Sequence, residues 1–275
     1  MGTASRSATV STGEPIDEQE ALARLRQTED TSAQYYAAWW VGRMRSRHPE
    51  VIPLLIRALA QRQPRQPDSG VEANAVARNA ARSLGKLRAA QAVPELLQVL
   101  EDPDYGLREA AARALGDIGD ARALPGLCRR LEGGVTGAGA PAAGTPFLQE
   151  PCEALLEALG DIGVADQAVL DAVQPFEKHE RPIIRSAAWR ALLILTGESR
   201  WAGKLLELLQ DGSLQVRRAA LMDLGAVGWR NSLEPIQRTQ AENSLKLIAL
   251  RGLAEHPRGE GPDLERVLEA MDALL

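Results

Sequence analysis

Aromatic residues are scarce: the 275-residue chain has five tryptophans, three tyrosines and two phenylalanines. Ala, Leu and Arg dominate and β-branched residues are few, a balance that favours helix over strand. Two cysteines, Cys128 and Cys152, are too few for a disulfide framework or a thiolate zinc site, and point to a reducing compartment. The three histidines, His48, His179 and His256, show no metal-ligand spacing such as His-Glu-x-x-His, and no Ser/His/Asp or Cys/His set is proposed by the order of residues. Basic residues are not in excess: 32 against 37 acidic, a net charge of −5. That leaves no cationic footprint for nucleic acid or an anionic membrane. No apolar run approaches the ~18 residues of a membrane span. Residues 1–14, rich in Ser, Thr and Gly, lack the apolar core of a signal peptide and read as a flexible tail on a cytoplasmic protein.

What is present is a repeat. Arg108-Glu109-Ala110-Ala111-Ala112-Arg113-Ala114-Leu115-Gly116 matches Ala77 to Gly85, and the pattern returns as Cys152 to Gly160, Arg185 to Leu193, Arg217 to Gly225 and, loosely, Asn243 to Arg251. Anchored on Gly42, Gly85, Gly116, Gly160, Leu193, Gly225 and Arg251, the base period is 31–33 residues, with two insertions and a shortened last unit. A second run, often with a proline in its first turn, accompanies each copy: Val51 to Ile56, Val93 to Leu97, Leu124 to Leu127, Leu205 to Leu209. Two helices per unit, each unit burying its apolar face on the next, predict one all-α superhelix of six to seven helix pairs over residues 15–275. The pattern resembles HEAT-like repeats of the phycobilisome-lyase type. The Gln/Pro/Arg-rich insertion near 61–72 and the glycine-rich one near 132–147 read as mobile; the latter lacks the Gly-Lys-Ser/Thr ending of a phosphate cradle.

Aligned copies show which residues are exceptional. The place of Tyr35 is otherwise Arg78, Glu109, Glu153, Ser186, Arg218 and Ser244; that of Trp39 is otherwise Arg82, Arg113, Glu157, Arg190, Met222 and Ile248. These places lie four apart, so they form one stripe, expected to face the inner groove and to present Tyr35 and Trp39 there as an aromatic ledge. Tyr36 and Trp40 occupy places that are otherwise mostly Ala or Ser, and read as packing that fills the space of a missing neighbour. Asp223 also takes a small-residue place; it is either a cap or salt bridge, or a carboxylate aimed into the groove. Asp117 and Asp161 follow the glycine in two Leu-Gly-Asp-Ile-Gly strings, which turn chemistry accounts for.

Tyr35-Tyr36-Ala37-Ala38-Trp39-Trp40-Val41-Gly42 is similar to a signature near the start of the E subunit of the E/F-type phycobilin lyases. Arg78 to Leu87, Ala241 to Leu253 and Leu268 to Leu275 are similar to that subunit as well, closest to that of the phycocyanin α-subunit phycocyanobilin lyase. The resemblance implies a cyanobacterial enzyme subunit that works as a heterodimer with an F-type subunit. It would bind phycocyanobilin, a linear tetrapyrrole, as substrate and join it by a thioether bond to a cysteine of a phycobiliprotein α subunit, with no resident cofactor. On that reading Tyr35, Tyr36, Trp39 and Trp40 contact the bilin, and Arg78, Arg82 and Arg113 pair with its propionates. Asp223, or else Asp161, would be the acid beside the pyrrole nitrogens. The alternative is a non-catalytic scaffold whose aromatic ledge anchors a protein partner.

Overall fold

In the computed structural model, which describes residues 16–62 and 74–275, the described chain is a single succession of helices with no strand beyond isolated bridges. Seven pairs run α1 (Glu18–Arg26) with α2 (Thr31–Arg43), α3 (Val51–Leu59) with α4 (Ala75–Lys86), α5 (Val93–Val99) with α6 (Tyr105–Ile118), α7 (Leu124–Arg130) with α8 (Cys152–Ile162), α9 (Gln167–Val173) with α10 (Pro182–Thr196), α11 (Ser199–Leu208) with α12 (Leu214–Val227), and α13 (Leu233–Arg238) with α14 (Asn243–Glu255). A last helix, α15 (Leu264–Asp272), packs on α14. The Ala-rich helices α2, α4, α6, α8, α10, α12 and α14 form one continuous layer, each touching the next. No described helix is long and apolar enough to cross a membrane. Residues 1–14, and most of the insertion expected near 61–72, lie outside the described residues.

Local chemistry explains the boundaries. Asp17, Asp30, Asp104, Asp166 and Asp263 cap helix N-termini by accepting a backbone N–H three residues on. Pro94, Pro125 and Pro182 stand in first turns, where the missing N–H is no loss. The arginines of the repeat's interhelical turns fasten those turns. Arg108, Arg185 and Arg217 each donate to two carbonyl oxygens of the turn before their own helix.

Spacing within the Ala-rich layer is set by a small-residue couple that recurs along it. A Cβ on Gly85 would stand 2.9 Å from Ala114 Cα; on Gly116, 2.8 Å from Ala158 Cα; on Gly160, 2.9 Å from Ala191 Cα; on Gly225, 2.6 Å from Ala249 Cα. Gly42 meets Ser83 in the same way, and the Ser83 hydroxyl donates to Ala38 O at 2.6 Å. Trp40 holds the small-residue place in the one helix of the layer that has no earlier member to meet, which is why a large side chain is tolerated; it is half-buried against the core. The couple is broken at one step. Between α10 and α12 the glycine is replaced by Leu193 and the small residue by Asp223.

The second insertion follows a defined path rather than leaving the body of the protein. Ala142 N donates to Phe147 O at 2.9 Å and Gln149 N to Ala140 O at 2.8 Å, while the buried His179 meets Gly139 O at 3.0 Å. Arg181 donates to Pro146 O at 3.1 Å and Arg108 to Gln149 O at 2.9 Å. Ala138 and Leu148 are buried, and Phe147 is left exposed.

The close approach makes a sharp prediction. Gly160→Ala forces backbone apart and is expected to lose about 1–3 kcal/mol in urea unfolding. Gly203→Ala, in α11 with nothing within 4 Å of the new Cβ, should gain about 0.5–1 kcal/mol by the same measurement.

Candidate functional site

The stripe read from the repeat lies on the Ala-rich layer and is exposed along most of it, Ser186 and Arg190 of α10 being buried. At its first end, Tyr35, Tyr36 and Trp39 are 42%, 41% and 39% exposed. Tyr36 departs from the packing role expected for it. Its ring leans on Trp39, with centroids 5.5 Å apart at 31°, so the ledge consists of Tyr35, Tyr36 and Trp39, with Trp40 behind them. The reason is position: α2 is the first helix of the layer, packed by α1 and α4, and no earlier layer helix covers the side that carries Tyr36. Arg82, next along the stripe, is exposed and makes no ion pair among the described residues. Arg78 lies 3.8 Å from the Asp104 carboxylate and packs beside Gly106.

Further along, the stripe becomes a network of charge. Arg113 on α6 is paired with Glu157, and lies 3.3 Å from Glu109 and 3.8 Å from Glu153. Arg190 on α10 is buried, at 7% exposure; it donates to Asp161 at 2.5 Å and lies 4.0 Å from Glu157 and 3.9 Å from Asp223. Asp223, also 7% exposed, accepts a hydrogen bond from the buried Ser186 hydroxyl. Five carboxylates thus share two guanidiniums. Arg190 Nε–H, turned towards Asp223, has no hydrogen-bond partner among the described residues.

The electrostatics follow from burial and this imbalance. Burial pushes the Asp223 carboxyl up to about 7, with Glu157 and Glu153 adding to the rise while Arg190 and Ser186 oppose it. Burial also raises Asp161, opposed by Arg190 and assisted by Glu157 and Asp117, and raises Glu153, with Glu157 adding. Asp161 therefore serves Arg190 across the layer, a role beyond the turn chemistry that its sequence context suggested.

The structure does not bring every expected residue to one place. From α2 to α12 are five helix-to-helix steps of about 8–10 Å, which puts the ledge about 40–50 Å along the layer from Asp223. Four linked pyrroles cannot lie on Tyr35 and Trp39 and also reach that acid. Arg113, Asp161 and Asp223 do belong to one network; Tyr35, Tyr36, Trp39, Arg78 and Arg82 belong to the other end.

Sequence reasoning missed a cavity of ≈ 450 Å³ at the N-terminal ends of α6, α8, α10 and α12, among whose lining residues are Tyr105, Phe147, Glu109, Glu153, Arg181 and Val216. Tyr105 and Phe147 stack there with centroids 4.6 Å apart. Burial, with Glu109 nearby, pushes the Tyr105 hydroxyl up to about 12. The available signal was a phenylalanine, Phe147, at the end of the insertion; nothing in the repeat could show that it folds back onto Tyr105 of α6.

Comparison with known proteins agrees with this fold. A model of the PBS lyase HEAT-like repeat matches residues 33–61 and one of HEAT repeats matches residues 69–136. A bilin biosynthesis protein, RpcE, of a Synechococcus species is 53% identical over 263 residues, covering 95% of this chain and 96% of its own. A phycocyanobilin lyase subunit alpha of a Picosynechococcus species is 45% identical over 262 residues, covering 94% and 96%. The chain belongs to the phycocyanobilin lyase alpha-subunit family. A solved member of that family, from the complex of CpcE and CpcF of phycocyanin lyase from a Nostoc species, is 41% identical and superposes with a TM-score of 0.85 over 99% of this chain and 100% of its own. Within this family member, the buried acid and the exposed ledge are two separate features of one layer.

A raised carboxyl pKa has a consequence for stability. An unfolded Asp titrates near 3.9, so between about pH 4 and about pH 7 the native chain binds the proton at Asp223 that the unfolded chain has lost, and stability falls as pH rises through that window. Melting temperatures taken at about pH 5 and about pH 8 should therefore fall more for the wild type than for Asp223→Asn. Parallel curves would show that Asp223 is ionised throughout.

Proposed function

We propose that this chain is the E-type subunit of a bilin lyase. With an F-type partner it binds a linear tetrapyrrole, phycocyanobilin, and attaches it to a cysteine of the phycocyanin α subunit. Family membership along nearly the whole chain supports the reading, and the observation that carries its chemistry is the buried Asp223–Ser186–Arg190 cluster. In the reaction the thiol S–H adds across the ethylidene C=C of the terminal ring. Sulfur bonds to the exocyclic carbon and a proton ends on the adjacent ring carbon; nothing is oxidised overall. The nucleophile belongs to the acceptor, so this chain needs none.

What it must supply is a fixed chromophore conformation and a proton held near the conjugated system. A carboxyl of pKa about 7 is suited to that, since it carries a proton at neutral pH and gives it up readily. Asp223 is the acid of this reading, with Asp161 acting through Arg190. Arg113 and Arg190 keep the carboxylates in place, while Arg82, exposed beside the ledge, lies too far along the layer to pair with a bilin held at the acid. The ledge of Tyr35, Tyr36 and Trp39 is assigned to the F-type subunit, because the distance along the layer separates it from the acid. Trp40 backs the ledge, and Arg78 is held by Asp104.

The two ends should separate experimentally. With the F-type subunit, phycocyanobilin and apo phycocyanin α subunit, Asp223→Asn is expected to slow attachment by about 100-fold or more at any partner concentration. Trp39→Ala should lose at least about 10-fold in affinity for the F-type subunit, with attachment recovered when that subunit is in excess. Attachment by Asp223→Asn at the wild-type rate would remove this acid from the mechanism.

A further inference from the structure

The Tyr105–Phe147 cavity has no part in the reading above, yet it adjoins the acid network directly. Glu109 and Glu153 belong to both. Val216 lines it on α12, and Asp223 lies seven residues further along the same helix, about 10 Å away along its axis.

Its wall is built, not accidental. The insertion after α7 is tied down by Arg108, His179 and Arg181, and its effect is to hold Phe147, 47% exposed, face to face with Tyr105. A volume of ≈ 450 Å³ lies in the range of small-molecule sites, about 300–1,000 Å³. Two stacked rings select a flat conjugated group.

Charge narrows the class further. Glu109, Glu153, Glu157, Asp161 and Asp223 face only Arg113 and Arg190 in the network. Surplus carboxylates in a partly desolvated site favour protons or cations and repel anions. A neutral plane would leave that surplus unbalanced. A pyrrolic system protonated on nitrogen spreads one positive charge over a plane and presents N–H donors along one edge. At the rim, Arg181 offers the only guanidinium among the cavity's described lining residues.

We propose that this cavity seats the rings at one end of the tetrapyrrole in N-protonated, cationic form, with the exposed face of Phe147 against its plane and Tyr105 stacked behind that ring, Glu153 and Glu109 as counter-ions, and Arg181 for a propionate. The pyrrolic nitrogen takes its proton from solvent, and the same charge makes the ethylidene carbon electrophilic. This assignment rests on the lyase reading and adds where, and in which charge state, the chromophore is held.

The test titrates the complex with its F-type subunit with phycocyanobilin and follows absorbance. Wild type should give the red-shifted spectrum of the protonated bilin at a pH where the free bilin is neutral. Phe147→Ala should weaken binding at least about 10-fold. Glu153→Gln should lower the pH midpoint of the bound spectrum by about one unit, a readout that a merely structural role would not move. Melting curves check both folds, and Glu153→Gln decides alone if Phe147→Ala does not fold. Wild-type binding with both variants unchanged overturns the seat and leaves the lyase reading standing. No binding by wild type overturns both.

Discussion

The contact of one glycine with one small residue, repeated from helix to helix, is what the rest of this molecule depends on. Where Gly85 meets Ala114, or Gly160 meets Ala191, the helices are so close that a single methyl would strike backbone. Such contact gives each unit a fixed distance to its neighbour, and a repeat protein is stable only through those neighbour interfaces. It also fixes the stripe, because helices stacked in one register turn the same places to one side, exposed in most units and buried at Ser186 and Arg190 of α10. Tyr35, Arg82, Arg113 and Met222 share one face for that reason.

The departure at Leu193 and Asp223 is informative because the rest of the layer is so regular. Replacing an apolar couple by a carboxylate is unfavourable unless the charge finds partners, and Arg190 and Ser186 meet only part of that need. A network with more carboxylates than guanidiniums holds protons that isolated acids would lose. The same excess that weakens the fold at high pH keeps a proton on the Asp223 carboxyl near neutrality. Such violations of local packing rules are expected where residues serve chemistry rather than folding.

How much of this could be read from the residues depends on the scale of the interaction. The helix pairs, their period and the single-stack architecture follow from anchors spaced 31–33 residues apart, since that signal is summed over many copies. Asp223 is legible as an exception because Ala114 and Ala191 show what its place normally holds. Its partner Arg190 is legible only as a member of the stripe, since pairing across α8, α10 and α12 needs the register of three helices at once. Tyr36 reads wrongly as packing because its place is small in later units, where an earlier layer helix meets it, while α2 has no earlier layer helix and leaves it exposed. The cavity could not be read at all, for its wall comes from the insertion, the part with no copy to compare.

These observations bear on how one curved layer can serve two purposes. A ledge of three aromatics beside the exposed Arg82 is a surface for something flat and extensive; a narrow cavity above surplus carboxylates suits something flat, small and cationic. About 40–50 Å of layer lies between the ledge and the acid, as five helix steps require, so neither can substitute for the other. Because the layer is a series of rigid close contacts, whatever binds the ledge is held at a set distance from the acid. The spacing that glycine imposes thus sets the distance between ledge and acid, and the insertions, not the repeat itself, are where a related chain could change its surface without changing that distance.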